Sequence, residues 1–503
     1  MLYKSTRGED KRISSAEAIA FGLSNDGGLF VPESFPCLTA EMINKLISEP
    51  YERRAAYIMS LFLKDFTIEE LDLYSDNAYG KRKSQGFCDG KTAPLHKVDK
   101  GTYFLELWHG PTCAFKDMAL QIMPQLLTAS LKKIGETREA CILVATSGDT
   151  GKAALEGFVD VPGVKIMVFY PRDGVSDIQK LQMTSQSGEN VNVVAVEGNF
   201  DDAQAGVKSI FSNESLRLKL TEAGCFLSSA NSINWGRLVP QLAYYISSYC
   251  DLLKNGEIEQ GEKINFCVPT GNFGNILAAY YAEKIGLPIN KLICASNRND
   301  VLTQFINTGV YDKNRQFYTT ASPSMDILVS SNLERLLYEL SDKDGSMVAS
   351  YMSRLSTEGS YTVSDSVRAE LGRIFASGFC SEEDTMRTIS DTFSKHKYLI
   401  DPHTAVAYKV LKDYKETTGD DAKTVAVSTA SPFKFCDSVL AALGQPHEGT
   451  GVMMLDTMSK ITGCAVPAPL ADLKNKESRF NDTVAINDME KAVTDFLLER
   501  FGH

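Results

Sequence analysis

The sequence predicts an α/β fold built on parallel sheets. Three observations carry this expectation. From about residue 91 onward, short apolar runs alternate with helix-like stretches, the pattern of strands joined by helical crossovers. The runs are apolar throughout, which suits strands covered on both faces. Several end in glycine-bearing turns that lead directly into a helix. Right-handed crossovers follow as the default.

Taken in order, residues 1–90 read as mixed helix and loop. SSAEAIAFGL (14–23) is a helix opened by a serine cap, with Glu17 near the capping-box position. NDGGLFVPESFP surrounds a short strand, and AEMINKLISEPYERRAAYIMSLFL has helical apolar spacing broken near Pro50. The polar opening STRG (5–8) reads as a structural cap. Strands then follow at TYFLELWHG (102–110), ACILVA (140–145), VKIMVFYP (164–171), VNVVAVEG (191–198), KINFCVP (263–269) and TVAVSTA (424–430). Residues about 300–400 are charged and mostly helical, suggesting an insertion that decorates the sheet domain. The tail from about 445 is loop-like before a last helix, DMEKAVTDFLLERF.

Bulk properties narrow the function. A chain of 503 residues suggests roughly two to four domains. The net charge of -12 argues against nucleic acid, whose phosphates attract basic faces. The eleven cysteines are scattered, with no CxxC pair, so neither a zinc site nor a dithiol motif is expected. Reduced thiols point to a cytoplasmic protein. The N-terminus lacks an apolar signal core, and there is no apolar run of the roughly 18 residues a membrane span requires. The histidines His96, His396, His447 and His503 show no metal spacing.

Two loops share one design. SGDTG (147–151) and GNFGN (271–275) each join an apolar strand to a helix N-terminus. Glycine lets backbone N–H groups turn toward a ligand, and the helix dipole favours an anion. SGDTGK is not a nucleotide-binding P-loop: Thr146 stands where its first glycine belongs, and Ala153 where its magnesium-binding hydroxyl belongs. GNFGNI is not the dinucleotide fingerprint. Lys116, in HGPTCAFKDMALQ (109–121), falls at a helix start beside Ala114 and Phe115. Both surroundings oppose its charge, favouring the amine, and a neutral amine forms imines with carbonyls. Together these features point to a phosphorylated aldehyde, and pyridoxal phosphate fits. A solvated lysine paired with Asp117 is the plainer alternative.

The segments STRG, HGPTCAFKD, TSGDTG, NSINWGR (231–237), GNFGN and STASPFKF (428–435) together resemble the threonine synthase family, in its long form with an extra N-terminal domain. The resemblance spans almost the whole chain. It implies a fold-type II pyridoxal-phosphate enzyme, tryptophan synthase β-like, with two parallel-sheet lobes and an N-terminal mixed α/β domain. The implied domains are 1–90, a large cofactor-binding lobe of 91–124 and 225–503, and a small lobe of 125–224. By this resemblance Lys116 holds the cofactor as a Schiff base. Gly271, Asn272, Phe273, Gly274 and Asn275 cradle its phosphate, and Thr429 faces its ring nitrogen. Ser147, Asp149 and Thr150 are candidates for the substrate, and Asn234 and Arg237 for its phosphate, because arginine suits bidentate phosphate contact. For Arg237 a structural salt bridge is the alternative.

The implied reaction converts O-phospho-L-homoserine and water to L-threonine and phosphate, in a monomer or homodimer with no metal. A phospho-lyase giving 2-oxobutyrate and ammonia, or a non-catalytic binding protein, are the alternatives. His109 either polarises a group near the cofactor or packs beside Trp108. His403, in DPHTAVAY, reads as a structural cap. Related chains often carry histidine where this one has Ser431, which puts a ligand role there in doubt.

Overall fold

The computed structural model describes residues 1–80, 87, 91–446, 449 and 451–498. Cys88, His447 and His503 lie outside the described residues. Two sheets organise the molecule. The larger has six strands in the order Phe375–Phe379, Ile289–Ser296, Ile264–Pro269, Thr424–Ser428, Thr102–Glu106 and Leu95–Asp99. All neighbours are parallel except the last pair. The smaller has five parallel strands, Thr483–Ala485, Val191–Glu197, Val164–Pro171, Glu139–Ala145 and Cys225–Ser228. Ile264–Pro269 and Val164–Pro171 are buried along their whole length. Their unbroken apolar sequence is what a strand covered on both faces requires.

The N-terminal region pairs Tyr3–Ser5 antiparallel with Phe30–Pro32 and adds four helices. Ser14 caps the helix Ser15–Phe21 and forms the expected capping box with Glu17. This region shares its core with the rest of the molecule: the Tyr3 and Phe62 rings lie 5.2 and 5.8 Å from that of the buried Trp235. The STRG segment is structural. Arg7 donates to both carboxylate oxygens of Glu334, at 2.9 and 2.8 Å, and Thr6 donates to the same group at 2.6 Å.

Three elements lie elsewhere than the sequence places them. Cys225–Ser228 and Thr483–Ala485, assigned to the large lobe, hydrogen-bond into the five-stranded sheet. The final helix, Met489–Leu498, buries Met489, Val493 and Leu497 in the same core as Met167, Phe169 and Val207. The chain therefore returns to the small lobe at its end, drawn by an apolar helix face that the preceding polar segment conceals in the sequence. The 300–400 segment is likewise more than decoration, since Phe375–Phe379 is an edge strand of the large sheet. Among the described residues, no helix is long and apolar enough to cross a membrane.

Candidate active site

The strands Thr102–Glu106, Glu139–Ala145, Ile264–Pro269 and Thr424–Ser428 lead at their carboxyl ends to Lys116, SGDTG, GNFGN and Thr429 respectively. Carboxyl ends of parallel strands are where α/β sheets bind ligands. A cleft, open at its mouth, lies there. Lys116, Ser147, Thr150, Arg237, Thr429 and all five residues of GNFGN line it. Asp149 and Asn234 do not.

Lys116 precedes a single helical turn, Asp117–Leu120. Its loop is sewn to the end of the strand at 424–428: Phe115 donates its N–H to the Thr429 carbonyl at 2.8 Å, and Ser431 to Cys113 at 3.0 Å. Asp117 does not pair with Lys116. It is buried and accepts from the Thr112 N–H and hydroxyl, both at 2.8 Å, and burial pushes its carboxyl up to about 7. The Lys116 ammonium position lies 4.1 Å from the Phe115 ring centre. Burial lowers its pKa to about 8, against the opposing pull of Asp149 and with help from Arg237 and Lys434. One helical turn supplies little dipole, so burial rather than the expected helix end disfavours the charge.

The two glycine-bearing loops are built differently. In the first, Thr146 Oγ accepts from the N–H groups of Gly148 and Gly151 at 3.0 and 2.8 Å. Gly148 adopts φ 126°, a conformation that favours glycine, and a Cβ there would meet Gln179 at 2.6 Å. Asp149 is buried and bonded to Lys434 at 2.7 Å and Gln179 at 2.8 Å. Burial alone would raise its pKa, but Lys434 and Lys116 outweigh that and hold it well below the usual carboxylate range. In the second loop, Phe273 is left-handed (φ 62°) and no side chain caps the helix Gly274–Ile285. Thr270 turns its hydroxyl back to the Val268 carbonyl, 2.7 Å away. Asn275 accepts from Tyr244 and Tyr245 at 2.6 and 2.5 Å, while its buried amide nitrogen has no partner.

Arg237 is 3% exposed and donates to the Ala230 carbonyl at 2.7 Å, but its Nε is unpartnered. Among the described residues no carboxylate lies within ion-pair distance of it, which removes the salt-bridge alternative. Burial lowers its pKa to about 10. A buried cation without a carboxylate partner is costly, which favours an incoming anion. Asn234 is corrected to a structural role. Its amide donates to Ile19 and Ser229 at 2.9 and 3.1 Å and accepts from Gly236 at 2.8 Å, tying the N-terminal helix to this turn. Asn231, in the same motif, lines the cleft instead and keeps a buried, unpartnered carbonyl oxygen.

The histidines divide. His109 binds Glu106 at 2.6 Å and stacks on Trp108 at 4.3 Å, away from the cleft lining. His403 lines the cleft, which its reading as a cap missed; the cap is Asp401. His403 Nδ1 lies 2.7 Å from Asp401, and Nε2 accepts the Ser324 N–H at 3.2 Å. Ser431 caps the turn Pro432–Phe435 and is fully buried. Lys434 and Ser324 escaped sequence reading; the only hint was a lysine inside the otherwise apolar SPFKF.

A buried lysine of lowered pKa, sharing a cleft with an uncapped helix start and an unpaired arginine, points to a class. Residues 91–430 match the family model of pyridoxal-phosphate-dependent enzymes, and the chain belongs to that class. Residues 2–79 match the model of the threonine synthase N terminus and 404–496 that of the threonine synthase C-terminal region. Threonine synthase of Pseudomonas aeruginosa is 38% identical over 494 residues, covering 98% of this chain and 97% of that protein. Human threonine synthase-like 1 is 41% identical over 438 residues, covering 85% of this chain; this alignment spans 58% of the human protein's length. Two crystal structures cover 99% of the chain. They are the pyridoxal-phosphate-bound threonine synthase from Brucella melitensis (TM-score 0.86, 36% identity, 100% of that chain) and the yeast threonine synthase (0.85, 32%, 99%). Within its class, the chain belongs to the threonine synthase family.

Proposed function

We propose that the protein converts O-phospho-L-homoserine and water to L-threonine and phosphate, with Lys116 as the lysine that carries pyridoxal phosphate. The observation that carries this reading is the pairing of a buried, readily deprotonated Lys116 with two independent anion positions in one cleft. One position suits the phosphate of the cofactor and the other the phosphate of the substrate. The residues fit the cofactor. The uncapped helix start at Gly274 and the unpartnered Asn275 amide offer donors to a phosphate, and Lys116 offers a nitrogen for its aldehyde. When bound, the cofactor supplies an electron sink that makes substrate C–H bonds acidic.

The chain's own residues do the rest. Lys116, as the neutral amine, takes the proton from Cα and moves protons between the substrate carbons. Arg237 holds the substrate's phosphate and stabilises its charge as it leaves. Ser147 and Thr150 present hydroxyls to the substrate across the cleft. Thr429, which lines the cleft, would offer the cofactor's ring nitrogen a hydroxyl rather than a carboxylate, a partner that would not force a positive charge on the ring. Asp149 acts on Lys116 electrostatically and does not line the cleft.

Product analysis tests the proposal. The protein, loaded with pyridoxal phosphate, is incubated with O-phosphohomoserine, and threonine, 2-oxobutyrate and phosphate are measured. Threonine and phosphate in equal amounts are expected. Phosphate with 2-oxobutyrate and no threonine would make the protein a phospho-lyase.

A further inference from the structure

We infer that Lys434 is a positioning residue for Lys116: by pairing with Asp149 across the two lobes, it deprives Lys116 of a counter-ion and keeps its nitrogen free to release a proton. Lys434 is fully buried, and Asp149 is 3% exposed. Lys434 Nζ lies 2.7 Å from Asp149 Oδ1 and donates to the Thr112 carbonyl at 2.9 Å. Thr112 is the residue that holds Asp117, so one ammonium grips both the lysine loop and the SGDTG loop. Asp149 is otherwise occupied by Gln179 Nε2 at 2.8 Å and Ser324 Oγ at 3.2 Å. The connection crosses lobes, since Asp149 follows a strand of the small sheet and Lys434 follows one of the large sheet. A second bond crosses beside it, from Ser176 Oγ to the Lys434 carbonyl at 3.0 Å.

Charge counting gives the reason. Asp149 and Lys434 form a neutral buried pair. A proton on Lys116 would then be a net positive charge in a desolvated site, next to the buried cation Arg237. The charged groups that bear on Lys116 are Asp149, Arg237 and Lys434, while Asp149 also feels His403. Asp117, the neighbour in sequence, is turned to Thr112. Without Lys434, Asp149 would be an unpaired carboxylate whose obvious partner is Lys116. Lys434 lies beyond residue 430, where the general match to pyridoxal-phosphate enzymes ends, and inside the stretch matched by the threonine synthase C-terminal model. Lys434 thus comes from the threonine synthase C-terminal match, whereas Asp149 and Lys116 come from the general one.

The inference rests on Lys116 being the cofactor lysine, and the test separates the two. The visible absorbance of bound pyridoxal phosphate is titrated with pH in the native protein, Lys434→Gln, Asp149→Asn and the double variant, alongside thermal melting. Lys434→Gln is expected to raise the midpoint by about one pH unit and Asp149→Asn to lower it by a similar amount, the double variant falling between them. A role confined to packing would lower the melting temperature without moving the midpoints in opposite directions. Should Lys434→Gln fail to fold, the double variant, which removes both members of the pair, is compared with Asp149→Asn. The double variant's midpoint is expected about one unit higher, and equal midpoints overturn the inference. A native band whose midpoint is the same in Lys434→Gln also overturns it. Absence of any band in the native protein overturns the reading of Lys116 itself.

Discussion

SGDTG and GNFGN look alike in the sequence, yet they do opposite things with charge. Each follows a buried strand and a threonine, and each opens a helix. Thr146 accepts two N–H groups of its own loop, and Asp149 places a built-in anion in the first helical turn. Thr270 faces the other way and donates to Val268, and the first turn of the helix behind it carries no acidic residue. The first loop carries its own carboxylate and an acceptor for two of its N–H groups; the second has neither. Glycine spacing alone marks a strand-to-helix turn that can bind an anion. Whether it does depends on what the preceding threonine and the first helical residues have already satisfied.

Substitutions can break this contrast. The largest effect is expected for Lys116→Ala, which removes the nitrogen proposed to hold the cofactor: kcat falls at least about 1,000-fold and the visible cofactor band disappears. If Lys116 acts as the amine, kcat is expected to fall as pH drops below about 8; a profile flat from pH 9 to 6 would contradict that assignment. Next, Gly274→Asp puts a built-in carboxylate at the open helix start, imitating the first loop. Cofactor affinity is expected to fall about 100-fold by equilibrium dialysis. Unchanged affinity would mean GNFGN is not the phosphate cradle.

Arg237→Gln is expected to raise KM for the phosphorylated substrate by about 10- to 100-fold, as loss of a charged hydrogen bond implies, while cofactor affinity holds. A KM that moves only when Ser147 or Thr150 is replaced would place the substrate phosphate at the first loop instead. The smallest effects separate the two threonines. Thr146→Val leaves two buried N–H groups without their acceptor and is expected to destabilise the fold by about 2 kcal/mol, whereas Thr270→Val costs about 1 kcal/mol or less. Equal shifts in denaturant midpoint would erase the difference between the loops.

The strands most legible in the sequence were those apolar from end to end, such as VKIMVFYP and INFCVP, because burial on both faces leaves no polar residue to confuse the pattern. Those that escaped notice, such as LHKVD and FASGF, are sheet edges with half-exposed, mixed residues. The interior strand INKLICAS escaped because its first turn is polar. Lys116, Arg237 and GNFGN were legible as local motifs. Asn234 was misplaced because NSINWGR turns Asn231 and Arg237 toward the cleft and Asn234 toward Ile19. Residue spacing in a single short turn does not reveal that choice.

By itself, the sequence determined the chemical inventory: a lysine in apolar company, two glycine-bearing turns after apolar strands, and an arginine in the NSINWGR segment. Local pattern suffices for that, because strand periodicity and turn chemistry act over a few residues. Tertiary structure decided which of these groups keeps its charge. Asp149 is spoken for by Lys434, Asp117 by Thr112, and His403 by Asp401 and Ser324. The Lys434 and Ser324 contacts are made by residues far apart in the chain. In a desolvated cleft, the state of a titratable group depends on which partners the fold brings within a few ångströms of it.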